Sequence, residues 1–72
     1  MKKIKKIKIK VNGKIRTIGK NNNLSDLLKI LKIPLNKVAI ELNQEIVDKQ
    51  QLNKIELKTK DKIEIVHFIG GG

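Results

Sequence analysis

Seventy-two residues supply one domain and exclude two, because a chain of this size buries only about 60% of its unfolded surface and cannot share that between two cores. The absence of cysteine excludes disulfide staples and thiol chemistry, leaving aliphatic packing as the source of stability and a reducing compartment, the cytoplasm, as the expected location. A net charge of +10 raises nucleic acid as a partner, but residues 1–37 carry 12 bases and one acid whereas residues 38–72 carry 5 bases and 6 acids, so the excess is N-terminal. Phe68 is the only aromatic residue, and single-strand and RNA binders need several flat rings on which bases stack. The Lys-rich start at Lys2 and Lys3 is followed by alternation rather than a continuous apolar run, which reads as neither secretory leader nor membrane span.

The run Ile7-Lys8-Ile9-Lys10-Val11 alternates apolar and basic residues with period two, predicting a strand with one face buried. Ile4 is out of phase with Ile7, which implies a bulge or a frayed start. Asn12-Gly13 then tolerates the positive φ angles of a two-residue hairpin, so Lys14 to Ile18 returns antiparallel. Two registers are open: a two-residue loop sets Ile18 opposite Ile7 on the buried face, and a loop one residue longer buries Ile15 opposite Val11.

The period then changes. Leu24, Leu27, Leu28 and Leu31 fall on one face of a helix predicted over 24–32, with Asn23 as N-cap, Asp26 completing a capping box, and Ile33-Pro34 as the stop. Val38, Ile40 and Leu42 form a third strand, Asn43-Gln44 a turn, and Ile46-Val47 a short fourth strand. Residues 49–57 suit a helical turn and loop, and Lys62 to Phe68 forms the last strand, with Ile63 and Ile65 toward the helix and Glu64, Val66 and Phe68 on the other side. This order predicts an α+β fold of the β-grasp, ubiquitin-like class: a mixed four- to five-stranded sheet, one main helix on one face, and first and last strands parallel and adjacent at the centre. The domain is expected over 1–69, with 70–72 as a flexible glycine tail.

No side-chain constellation offers catalysis. His67 is the only histidine and has no cysteine or clustered acid near it in sequence, and Glu41, Glu45, Asp48, Glu56, Asp61 and Glu64 make no paired-carboxylate motif. The chain terminus does offer chemistry. The carboxylate of Gly72 is ionised at neutral pH and can attack the α-phosphorus of ATP to give an acyl-adenylate, which a sulfur donor converts to a thiocarboxylate. Gly70 and Gly71 let an extended tail pass through a narrow channel in an activating enzyme. Fixing each tail residue costs about 1–2 kcal/mol, so such an enzyme must also grip the body. Val66 and Phe68, with Ile69 beside them, are the candidate docking contacts.

The blocks Val38-Ala39-Ile40-Glu41-Leu42-Asn43-Gln44-Glu45-Ile46-Val47 and Asp61-Lys62-Ile63-Glu64-Ile65-Val66-His67-Phe68-Ile69-Gly70-Gly71-Gly72, with Val11-Asn12-Gly13, resemble the ThiS sulfur carriers of thiamin biosynthesis across nearly the whole chain. The resemblance implies that Gly72 is adenylated by a ThiF-like enzyme, receives sulfur from a cysteine desulfurase or similar donor, and delivers it to a ThiG-like thiazole synthase. It implies no cofactor on this chain, ATP being used by the partner, and no enzymatic activity of its own. Where that family often has an acid-Gly turn and a bulky aromatic, this chain has Thr59-Lys60 and Leu52. The small subunit of molybdopterin synthase and ubiquitin-like modifiers share the body-and-tail plan and stand as alternatives. A basic nucleic-acid-binding module, resting on Lys2, Lys3, Lys5, Lys6, Lys8 and Lys10, is the alternative of another class.

Overall fold

A computed structural model describes residues 5–68. Ile4, Ile69, Gly70, Gly71 and Gly72, about which the sequence raised expectations, lie outside the described residues. Strands β1 (Lys6–Val11) and β2 (Lys14–Gly19) form the first hairpin, followed by helix α1 (Leu24–Ile30), a 3-10 turn at Leu35–Lys37 and strand β3 (Val38–Leu42). A second hairpin leads to β4 (Glu45–Ile46), and a 3-10 helix at Lys49–Lys54 precedes β5 (Lys62–His67). The five strands make one mixed sheet in the order β2-β1-β5-β3-β4, with β1 parallel to β5 and the other pairs antiparallel. This is the predicted β-grasp arrangement.

The first hairpin takes the shorter of the two registers left open by the sequence. Asn12 and Gly13 alone form the loop, with φ of 50° and 83°, both in the left-handed region that a twisted two-residue hairpin requires. Ile7 is therefore paired with Ile18, which is buried, and Ile15 is turned to solvent. Asn43 and Gln44, at φ of 52° and 73°, repeat the same turn between β3 and β4.

The capping box at the start of α1 is complete: Asp26 N–H donates to Asn23 Oδ1 at 2.7 Å, and Asn23 N–H donates to Asp26 Oδ2 at 2.9 Å. The helix stops two residues short of the expected end, and proline is not what stops it. Lys32 adopts φ 58°, Ile33 N–H donates to Leu28 C=O at 3.0 Å and Lys32 N–H to Lys29 C=O at 3.1 Å. That is a Schellman termination with lysine where glycine is usual. It turns the chain early enough for Ile33 to pack against the core before Pro34 continues the connection.

Leu24, Leu27 and Leu28 of the helix, Ile9, Val11 and Ile18 of the first hairpin, Val38 and Ile40 of β3, Ile63 and Ile65 of β5, and Leu52 and Leu57 between them make a single aliphatic core. Among the described residues no polar or charged side chain is buried. Leu52, read from the sequence only as part of a turn and loop, is buried in the core. Lys60, at φ 72°, takes the left-handed turn position expected of glycine, and its N–H donates to Lys8 C=O at 2.8 Å. No helix among the described residues is long and apolar enough to cross a membrane.

The core assignment predicts a large penalty for truncation at the helix face. Leu28→Ala removes a side chain that is 2% exposed and should cost about 2–5 kcal/mol, a large part of the stability of so small a domain. Urea denaturation followed by circular dichroism would show it, and an unchanged midpoint would contradict the packing described.

Candidate docking face and the exit of the last strand

The helix covers one face of the sheet and leaves the other open. Cross-strand partners share a face, so the pairs Ala39↔Val66, Glu41↔Glu64 and Glu41↔Ile46 place Ala39, Glu41, Ile46, Glu64 and Val66 together on the open side. Phe68 directly follows β5, its N–H donates to Lys37 C=O at 2.9 Å as the ladder with β3 continues, and that continuation carries the alternation on to the open side. Val66 is 52% exposed, Phe68 56% and Ile46 79%. These are the residues a monomeric sheet would ordinarily cover or replace with polar ones. Lys49 lies with Nζ 5.5 Å from the centre of the Phe68 ring, a cation–π contact at the margin of the patch.

The opposite end of the open face is basic. Lys10 pairs with Ile15 on one side and Lys62 on the other, and Lys8, Lys10, Lys60 and Lys62 surround Ile15 in a shallow depression. Part of the charge excess that the sequence placed in the N-terminal half thus meets lysines from the C-terminal half across the sheet. Phe68, the only aromatic residue, sits at the other end of the face, so the basic cluster has no ring on which a base could stack.

Of the residues singled out by sequence, the structure brings Val66 and Phe68 together at the end of β5, on the open face and next to the point where the chain runs on toward Gly70, Gly71 and Gly72. His67 alternates with them, and among the described residues no group of three or more His, Cys, Asp or Glu is placed to hold a metal ion. Two of the acids that make no paired-carboxylate motif cap turns of the chain. Asp48 Oδ1 accepts from Gln50 N–H at 2.9 Å at the start of a 3-10 helix, and Asp61 Oδ2 accepts from Lys58 N–H at 2.8 Å. Ile46 was not singled out as a contact residue. Its place beside Glu41 depends on the register of the second hairpin, for which the Asn43-Gln44 turn was the only local signal.

The model of the ThiS family matches residues 9–72. The chain belongs to the ThiS family. It is 37% identical to the sulfur carrier protein ThiS of Bacillus subtilis over 65 residues, covering 89% of this chain and 98% of that one. The crystal structure of the thiamine biosynthesis protein ThiS from Geobacter metallireducens superposes with a TM-score of 0.80 at 32% identity, covering 92% of this chain and all of that one. A thiazole synthase of Paramagnetospirillum magneticum is 39% identical over 66 residues, a stretch that is 92% of this chain but only 20% of that protein. As a ThiS protein this chain is a sulfur carrier of thiamin biosynthesis and not an enzyme.

Because Phe68 is half exposed and makes its one aromatic contact with a surface lysine, Phe68→Ala should lower stability by about 1 kcal/mol or less. A denaturation midpoint shifted as far as that of Leu28→Ala would place the ring in the core and remove it from the open face.

Proposed function

We propose that the working group of this carrier is the α-carboxylate of Gly72, on a tail of residues 70–72 that extends from a body of residues 1–69. A carboxylate oxygen attacks the α-phosphorus of ATP bound by a ThiF-like enzyme, forming the carboxyl–phosphate bond and releasing pyrophosphate. A persulfide sulfur supplied by a cysteine desulfurase or similar donor then displaces AMP to give an acyl disulfide, and a thiol reductant cleaves its S–S bond, leaving a thiocarboxylate whose sulfur passes to a thiazole synthase. The chain itself carries no cofactor in this scheme, and it works in the cytoplasm.

The observation that carries the reading is positional. The last strand lies at the centre of the sheet, and its exposed apolar residues stand immediately before the glycines. A partner that holds Val66, Phe68 and Ile69 has the tail at hand, and contacts on the rigid body offset the ordering entropy of the tail. Glycines at 70 and 71 suit a narrow channel that side chains could not pass. The likeness to one fifth of a thiazole synthase supports that enzyme class as the acceptor, since a carrier-like segment within such a protein keeps donor and acceptor together.

Deleting Gly71 and Gly72, or extending the chain past Gly72, should leave the body folded and abolish function. With the activating enzyme, ATP and a sulfur source, the unaltered chain should gain the mass of one sulfur in place of one oxygen at its terminal carboxyl, and the altered chains nothing. Intact-mass spectrometry reads both outcomes. A tail-deleted chain that still supports thiazole formation would falsify the proposal. In the same assay Phe68→Ala should raise the concentration of carrier needed for half-maximal activation without lowering the amount of folded protein.

A further inference from the structure

β1 runs beside β5 for only two residue pairs, Lys10↔Lys62 and Val11↔Ile63, before it turns away at Asn12. Pairing does not stop there. Asn12 N–H donates to Ile63 C=O at 2.9 Å, Ile65 N–H donates to Asn12 Oδ1 at 2.7 Å, and Asn12 Nδ2 donates to Ile65 C=O at 3.4 Å. The side-chain amide stands in for a peptide group and continues the ladder by one residue after the main chain has left. The backbone conformation makes this reach possible, because φ 50° at the first turn position directs the Asn12 side chain over the end of β1.

On its other edge β5 remains paired to its end, where Phe68 N–H donates to Lys37 C=O at 2.9 Å. Antiparallel alternation then turns the N–H and C=O of His67 toward the β1 side. Among the described residues Asn12 is the last group of the first hairpin to hold β5 on that side, two residues before His67. The opposite end of β5 has a similar grip from the second hairpin. Asn43, at φ 52°, donates its N–H to Lys62 C=O at 2.8 Å and accepts from Lys62 N–H at Oδ1 at 2.9 Å. Two turn asparagines thus clamp the entry and the exit of one strand.

We infer that Asn12 is a positioning residue for tail activation: its side-chain amide fixes the exit of β5, so that residues 66–68 leave the body in one direction and the carboxylate of Gly72 arrives at the activating site with fewer conformations to lose. The inference rests on the Gly72 reading above, and it separates Asn12 from Asn43, which holds the end of the strand remote from the tail. A purely structural role would make the two equivalent.

The matched variants Asn12→Gly and Asn43→Gly each keep a residue suited to positive φ and each remove one clamp. Amide hydrogen exchange on the carrier alone is the first measurement. In Asn12→Gly, exchange at Val66 and Phe68, whose N–H groups bond on the β3 side, should rise about tenfold over that in Asn43→Gly, while Leu27 and Leu28 in the helix keep similar protection in both. Pyrophosphate release by the ThiF-like enzyme is the second. Asn12→Gly should lower kcat about tenfold with little change in KM, and Asn43→Gly should leave kcat near that of the unaltered chain. Asn12→Asp keeps the acceptor for Ile65 N–H but sets a carboxylate oxygen against Ile65 C=O where the amide donated, so it should fall between Asn12→Gly and the unaltered chain in both measurements, and it serves equally if Asn12→Gly does not fold. Equal values for Asn12→Gly and Asn43→Gly in either measurement overturn the assignment. Should the unaltered chain itself release no pyrophosphate, the Gly72 reading fails, and the exchange comparison still decides whether Asn12 holds the exit of the strand.

Discussion

The structure depends on the placement of β5 between β1 and β3. A central strand must satisfy its backbone groups on both edges, since a buried unpaired N–H or C=O costs about as much as the hydrogen bond it lacks. β3 supplies one edge through five pairs, Val38↔His67 to Leu42↔Ile63. β1 supplies only two, and that edge is extended by Lys10 N–H donating to Asp61 C=O at one end and by Asn12 holding Ile63 and Ile65 at the other. The parallel pairing of chain beginning and chain end, which closes this small domain, is therefore short in main-chain terms and completed by turn residues.

Once β5 is central, the division of labour between the two faces of the sheet follows. Ile63 and Ile65 point into the aliphatic core with Leu24, Leu27 and Leu28, while Val66 on the open face and Phe68 beyond it stay in solvent. Stability and recognition are thus carried by alternate residues of one strand. A core made only of aliphatic side chains, with no buried polar group among the described residues, needs no internal hydrogen bonding. Polar side chains are spent at the ends of elements: Asn23 and Asp26 at the helix start, Asn12 and Asn43 at the hairpins, Asp48 and Asp61 in the connections.

Much of this was legible from local pattern. Period-two alternation at Ile7, Ile9 and Val11, the helical spacing of Leu24, Leu27, Leu28 and Leu31, and the Asn12-Gly13 pair each have one dominant physical reading, and the observed elements follow them closely. The open-face position of Val66 and Phe68 was legible too, because alternation from Ile63 leaves no choice once one face is buried. The helix end was not. Proline at 34 announces that a helix must have stopped, but the left-handed Lys32 stops it earlier, and lysine carries no signal for that conformation.

Sequence by itself determined the kinds of element, their order, the core residues of the helix and of the strands β1, β3 and β5, and the carrier family, because these rest on periodicities and motifs contained within short stretches of chain. Tertiary structure alone decided the hairpin register, by burying Ile18 in preference to Ile15, since both registers satisfy the turn and only contact with the helix separates them. It also decided that Asn12 grips Ile65 across 53 residues of sequence and that Lys8 and Lys10 meet Lys60 and Lys62 on one face. Such juxtapositions arise from pairing the first strand with the last, and residues that distant carry no local trace of which partner they will meet.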